Sequence, residues 1–190
     1  MKNHFYAFMS RMKNIYRWGL MRNTRQENLS EHSLEVAQIA HALAIIRNKR
    51  FGGNVDANYV ATVAMYHDTS EIITGDMPTP IKYYNANIKT AYKQIEDLAQ
   101  TSLTEMLPED FREDFNKIYN PDLETERIVK AADKFSALIK CIEELNMGNK
   151  EFAVAEKSTR KAIKEMDLPE AKVFLEEFIP SFSLSLDEQG

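Results

Sequence analysis

The sequence predicts an all-α fold, on three observations. Apolar residues recur at intervals of three and four along most of the chain, the period of a helix with one buried face. Glycine and proline are scarce, six of each in 190 residues. They cluster at Gly52-Gly53, Gly75 to Pro80, Pro108, Pro121, Gly148, Pro169 and Pro180, where they punctuate the helical periods. No run of strict alternation is long enough for a sheet.

The first helix is expected from about Lys2 to Tyr16, with Phe5, Phe8, Met9, Met12 and Ile15 along one side, and Arg17-Trp18-Gly19 breaks it. After a polar loop, Ser30 reads as an N-cap with Glu31 in the first turn, where a carboxylate suits the helix dipole. Val36, Ile39, Ala40 and Leu43 form the buried stripe of this second helix, and His32 lies on the same stripe one turn earlier. A turn at Gly52-Gly53-Asn54 leads to a third helix from near Asp56. Its inward positions Val60, Val63 and Ala64 put His67 next in the series, with Glu71 four residues on, so that His67, Asp68 and Glu71 converge near the helix end.

Gly75 to Pro80 stops that helix, and another is expected from about Ile81 to Met106, followed by a short connection through Pro108 and Pro121. From Leu123 to Met147 a long helix carries Ile128, Val129, Ala132, Phe135 and Ile139, with Asp133 bordering the stripe and Gly148 as its C-cap. Two last helices occupy 150–166 and 169–178. The ending SFSLSL alternates small polar with apolar residues and reads as an extended segment over a hydrophobic groove.

The bulk properties narrow the function classes. With 44% hydrophobic and 28% charged residues the chain is ordinary for a globular protein, and its length suits one domain over 1–190. A formal charge of −5 disfavours a nucleic-acid surface, which needs clustered Lys and Arg, but leaves a small phosphorylated substrate open. The longest apolar stretches fall far short of the roughly 20 residues that span a bilayer. The N-terminus lacks the pattern of a secretory signal, and a single cysteine, Cys141, fits a reducing compartment, so a cytoplasmic location is expected.

Chemistry concentrates in the pattern His32, His67-Asp68 and Asp133. Two imidazoles and two carboxylates suit a borderline divalent transition metal, and four ligands on a six-coordinate ion leave room for water and a substrate oxygen. A hydrolase is the first expectation. Taken singly, an inward histidine is more often a hydrogen-bonded core residue. His41 fits that description, because nine residues after His32 it falls on the opposite side of the helix; His4 is unassigned. Asp133 alone could pair with Lys130 or Lys134. An acidic residue beside an apolar stripe nevertheless carries a desolvation cost, and the His-Asp pair followed by Glu71 is hard to explain without a metal.

This H…HD…D pattern resembles the HD-domain phosphohydrolase superfamily, in which such ligands on separate helices of a bundle hold a divalent metal. Within it, Arg17-Trp18, the segment RNTRQENLSEHSLEVA, the run AMYHDTSEIITGDMPTPIKY and the ending FIPSFSLSLDE are similar to the bacterial 5′-deoxynucleotidases. The resemblance covers the chain to about Glu188. It implies a single HD-type domain, with the metal core at about 28–147 and C-terminal helices and tail at 150–190. It also implies hydrolysis of 2′-deoxyribonucleoside 5′-monophosphates to deoxynucleoside and phosphate, in preference to ribonucleotides, with a role in nucleotide metabolism.

On that reading His32, His67, Asp68 and Asp133 hold one metal ion, Co²⁺, Mn²⁺ or similar. Glu71 handles protons, a contribution worth about 10²–10⁴ in rate. Arg17 grips the phosphate through its guanidinium fork, although a surface charge is an equally good reading of it. Trp18, a core anchor or the wall of the sugar site, would crowd a 2′-hydroxyl. Asp76, Met77, Pro78 and Thr79 form a stiffened loop that both ends a helix and can touch the substrate, which Asp68 and Asp133 also border.

Two alternatives remain: an HD-domain triphosphohydrolase or cyclic-nucleotide phosphodiesterase, and a non-catalytic module stabilised by its metal. A triphosphate pocket would want more cations than Arg17, Arg22 and Arg25, and a silent module would show a broken ligand set. The aromatic first helix and apolar tail suggest a homodimer, as the resemblance also implies.

Overall fold

Asn28, one turn before the His32 stripe, sets the start of the helix that carries it. Its side chain accepts hydrogen bonds from the Ser30 and Glu31 backbone N–H groups, and Glu31 reaches back to the Asn28 N–H, a full capping box. Ser30, the expected cap, is already inside the helix, because Asn28 offers the same chemistry two residues earlier.

The structure, a computed structural model, describes residues 3–82 and 84–190, and among these no strand forms. The helices are α1 (Phe5–Met9), α2 (Leu29–Phe51), α3 (Ala57–Tyr66), α4 (Glu71–Thr74), α5 (Thr79–Lys82), α6 (Ala86–Glu105), α7 (Arg112–Tyr119), α8 (Leu123–Asn146), α9 (Ala153–Glu165), α10 (Pro169–Glu177) and α11 (Leu186–Gln189). No helix among the described residues is long and apolar enough to cross a membrane.

Helix α2 lies between α3 and α8, with α10 closing its far side. The main core forms where they meet, from Val36, Ala40 and Leu43 of α2, Val60 and Ala64 of α3, Ile128, Ala132, Phe135 and Ile139 of α8, and Phe174 of α10. Every residue expected on the α2 and α8 stripes is buried. Each such fully buried Leu, Ile or Phe contributes roughly 1.5–3 kcal/mol, which holds the three site-bearing helices in fixed register.

A second, smaller core joins Phe5 of α1 to Leu103, Leu107 and Phe115. The rings of Phe5 and Phe115 meet edge to face at 4.7 Å. The aromatic side of α1 is thus used within the chain. Residues expected to form one long first helix instead make α1 and a 3-10 turn over Ser10–Asn14, and the expected start at Lys2 lies outside the described residues.

Three other expectations are corrected. The helix placed from Ile81 to Met106 is divided, and α6 starts afresh on an Asn85 cap. The connection between Pro108 and Pro121 contains α7, whose Phe115 is drawn into the second core. The tail is not extended: a 3-10 turn over Ile179–Ser183 and the short α11 carry it, with Ile179 buried and Phe182 packed on the main core. Phe182 and Ile179 both reach the core only if the segment coils.

Candidate metal centre

Each histidine of the pattern is presented by a local device. Helix α3 ends at Tyr66 because side chains occupy its last carbonyls: Thr69 Oγ1 donates to Tyr66 O at 2.9 Å, and His67 Nδ1 lies 2.7 Å from Ala64 O. The expected continuous helix through Glu71 is therefore broken by a turn, and α4 begins at Glu71. With Nδ1–H donating backward to a carbonyl, His67 Nε2 is left as a lone-pair donor facing Asp68 at 3.1 Å.

His32, 1% exposed in the first turn of α2, places Nδ1 3.0 Å from Ser136 Oγ of α8. Its Nε2 lies 3.4 Å from Asp68 Oδ2 and 3.3 Å from Asp133 Oδ1. Donor atoms of His32, His67 and Asp68 all lie within 4.8 Å of one another. Asp133 borders this triplet from the His32 side and is the most open member, its side chain 42% exposed. Lys130 is engaged with Glu126 at 2.5 Å, and Asp133 instead faces His32 and Arg17.

The donor set fits a divalent cation. His32 Nε2 and His67 Nε2 are buried and have no hydrogen-bond partner, although the Nδ1 of each ring is held. Burial and Arg17 oppose a charge on His32, yet Asp133 and Asp68 outweigh them and push its pKa up to about 9. Burial also works against ionised Asp68, but the two imidazoles hold that carboxyl well below its usual range; Asp133 is likewise lowered, mainly through His32. A site that draws a proton onto a buried imidazole is one that a metal can fill by releasing that proton. His41 is half-buried on α2 and takes no part in the cluster.

Arg17 reaches the centre from the loop before α2. Its guanidinium lies 3.4 Å from Asp68 Oδ2 and 4.0 Å from Asp133 Oδ1, and Nε donates to Glu27 Oε2 at 3.2 Å. The same Glu27 oxygen accepts the Trp18 indole N–H at 2.9 Å. Trp18 has φ 59°, left-handed backbone that a bulky residue rarely adopts, and packs on Phe152 with ring centroids 5.3 Å apart. This segment is pinched at its base, where Arg17 N donates to Glu27 O at 3.0 Å and Tyr16 bridges Asn28. Its far end is pinned by Glu144 of α8, which accepts from Thr24, Arg25, Asn149 and the buried Lys140.

Glu71 is 5% exposed, and its Oε2 has no partner. Burial first, then the neighbouring carboxylates of Asp68 and Asp76, push its pKa up to about 9 against the pull of Arg17 and Lys82. Asp76 is also raised, by burial, in the loop that Gly75 opens with φ 75°, ψ 163°, a conformation confined to glycine. Met77 and Pro78 continue this loop, half-buried, to the exposed Thr79 at the start of α5. A cleft of about 390 Å³ opens beside His67 and Asp133, walled by Val63, Ile118, Tyr119 and Val129, with Lys93 and Lys130 on its rim.

The other two arginines near the centre in sequence do not reach it. Arg22 pairs with Glu151 at 2.6 Å at the surface, and Arg25 approaches Glu31 at 3.9 Å. Three residues that sequence reasoning missed belong to the site's support: Glu27, Ser136 and Glu35. The signal for two of them was present, since Glu35 follows His32 by three and Ser136 follows Asp133 by three, each on the same helical face.

A profile of the 5′-deoxynucleotidase YfbR-like family matches residues 4–182. The 5′-deoxynucleotidase of Vibrio vulnificus is 53% identical over 190 residues, spanning 98% of this chain and 98% of that protein. The 5′-deoxynucleotidase of Photorhabdus temperata is 53% identical over 189 residues, spanning 98% and 96%. Among solved structures, an HD-domain phosphohydrolase from Listeria innocua superposes with a TM-score of 0.79 at 22% identity, covering 96% of this chain and 90% of that one, a likeness of fold.

Proposed function

The chain belongs to the YfbR-like 5′-deoxynucleotidase family, and from that membership we propose that it hydrolyses 2′-deoxyribonucleoside 5′-monophosphates to deoxynucleoside and inorganic phosphate. It is a phosphoric monoester hydrolase of the HD-domain type, selective against ribonucleotides. The observation that carries this reading is the meeting of two buried Nε2 atoms that lack a hydrogen-bond partner with Asp68 beside the Arg17 guanidinium. His32, His67, Asp68 and Asp133 hold one divalent ion, Co²⁺, Mn²⁺ or a similar metal. When bound, it supplies Lewis acidity to the phosphoryl group and to the attacking water.

The chain's own residues supply the rest. Arg17, aimed between Asp68 and Asp133 by Glu27, presents N–H groups to the dianionic phosphate and fixes its orientation. Glu71, a carboxyl whose buried, anionic surroundings favour its protonated form, delivers a proton to the departing 5′-oxygen, which as a free alkoxide would be a poor leaving group. Trp18 walls the sugar and leaves a 2′-hydroxyl without a partner after desolvation, while Asp76, Met77, Pro78 and Thr79 contact the sugar and phosphate. Asp68 and Asp133 border the same substrate groups. That Arg17 alone of the three nearby arginines approaches the ligands supports a monophosphate over a triphosphate.

The enzyme works in the cytoplasm as a homodimer, a reading supported by exposed Tyr6, Leu184 and Leu186, and it acts in deoxynucleotide turnover. Phosphate release from dAMP, AMP, dATP and a cyclic nucleotide, measured with several metals after chelation, tests the proposal. The expected result is metal-dependent release from dAMP far above AMP. Rapid release from dATP with little from dAMP refutes it.

A further inference from the structure

Behind His32 the structure places a hydrogen-bonded chain that the catalytic reading does not use. His32 Nδ1 lies 3.0 Å from Ser136 Oγ, and Ser136 Oγ donates to Glu35 Oε2 at 2.6 Å. The second distance is that of a charge-assisted O–H···O⁻ bond. A serine hydroxyl has one hydrogen, so once it is committed to the Glu35 carboxylate, the oxygen can only accept from the ring. In the neutral ring Nδ1 then carries the proton and Nε2 is left as the lone pair facing Asp68 and Asp133, the state that a bound cation requires.

We propose that Ser136 and Glu35 form a positioning relay that locks His32 in its Nε2-ligating tautomer and orientation, and thereby sets the affinity of the centre for a divalent cation. The inference rests on the reading of this cluster as a metal site, and not on the identity of the substrate. The two histidines differ in a telling way. His67 is oriented by a main-chain carbonyl, Ala64 O, which no substitution removes. His32 depends on a side chain from another helix, so α2 and α8 must be packed together before the ligand is set.

Ser136 is fully buried, so water cannot substitute for a lost hydroxyl. Partners of this kind behind a metal-bound imidazole are worth about 10–100-fold in metal affinity.

The test uses Co²⁺ alone, with no nucleotide, so that absence of dAMP hydrolysis, which would refute the activity, does not enter it. Binding of Co²⁺ to the full-length wild type, Ser136→Ala, Glu35→Ala and Ser33→Ala is measured by calorimetric titration against a chelator. Ser33→Ala removes a buried hydroxyl next to His32 that is outside the relay. Ser136→Ala is expected to bind Co²⁺ about 10–100-fold more weakly, Glu35→Ala more weakly to a smaller degree, and Ser33→Ala as wild type.

In the Co²⁺-loaded protein, the shifted Nδ1–H resonance of one histidine should exchange faster with water in Ser136→Ala, while that of the other is unchanged. Wild-type affinity in Ser136→Ala, or an equal loss in Ser33→Ala, overturns the relay. If Ser136→Ala does not fold, Glu35→Ala decides, because Glu35 is only half-buried; unchanged affinity there overturns it too.

Discussion

Replacing Glu71 by Gln should cut turnover sharply and stabilise the fold at the same time. The carboxyl is 5% exposed, and burial together with Asp68 and Asp76 raises its pKa to about 9. In an unfolded chain the same group titrates near 4.5. Between those values the native state holds a proton that the unfolded state has lost, so stability falls as pH rises through this window. By linkage the penalty is about 3 kcal/mol at pH 7.

Glutamine keeps the shape and has no charge to neutralise, so the penalty disappears. For a chain of this size each kcal/mol is roughly 2–4 °C in Tm. Chelated Glu71→Gln should therefore melt roughly 6–12 °C higher at pH 7, with the gain vanishing below about pH 4.5. Glutamine cannot release a proton, and kcat on dAMP should drop about 10²–10⁴-fold with Co²⁺ affinity retained. The assays are scanning calorimetry from pH 4 to 9 and steady-state phosphate release at saturating metal. A kcat within a few-fold of wild type would remove Glu71 from proton transfer, and a lower Tm at pH 7 would refute the desolvation argument.

Trp18→Ala should narrow the rate ratio between dAMP and AMP; an unchanged ratio would remove Trp18 from the proposed selection against ribonucleotides. Glu144→Gln should weaken the fold by about 3–5 kcal/mol at neutral pH, because it leaves Lys140 buried without its anion. Burial disfavours the Glu144 charge, but Lys140, Asn149 and Thr24 hold its carboxyl far below the usual range. Its contribution is thus full above the ordinary carboxylate pKa and is lost as pH falls toward the native value, so wild type and variant should converge in acid denaturant titrations. Phe135→Ala, at the fully buried meeting of α2, α8 and α10, should cost about 3–5 kcal/mol by urea unfolding; a loss under 1 kcal/mol would mean that the core refills.

The helices that carry the candidate ligands were legible because each has an apolar stripe at the helical period. His32 and His67 could be placed on those stripes by counting. Helix α7 was not legible, since eight residues between two prolines show too little periodicity, and its helicity depends on Phe115 finding Phe5. The tail failed for a related reason: alternation alone cannot report that Ile179 and Phe182 both have a core to reach. Within the site, Arg17 was open between two readings until the loop brought it to Asp68 and Asp133.

Residue type and spacing by themselves determined the all-α class and singled out the candidate ligands and the acid/base candidate, because these depend on local period and on the cost of placing His, Asp and Glu on apolar faces. Tertiary structure alone decided the protonation and aim of those groups. Ser136 meets His32, Glu27 gathers Arg17 and Trp18, and Asp76 crowds Glu71 only after helices and loops far apart in sequence are packed. Hydrogen bonds and electrostatic potentials act over a few ångströms of space, and no one-dimensional pattern fixes which distant groups will share those few ångströms.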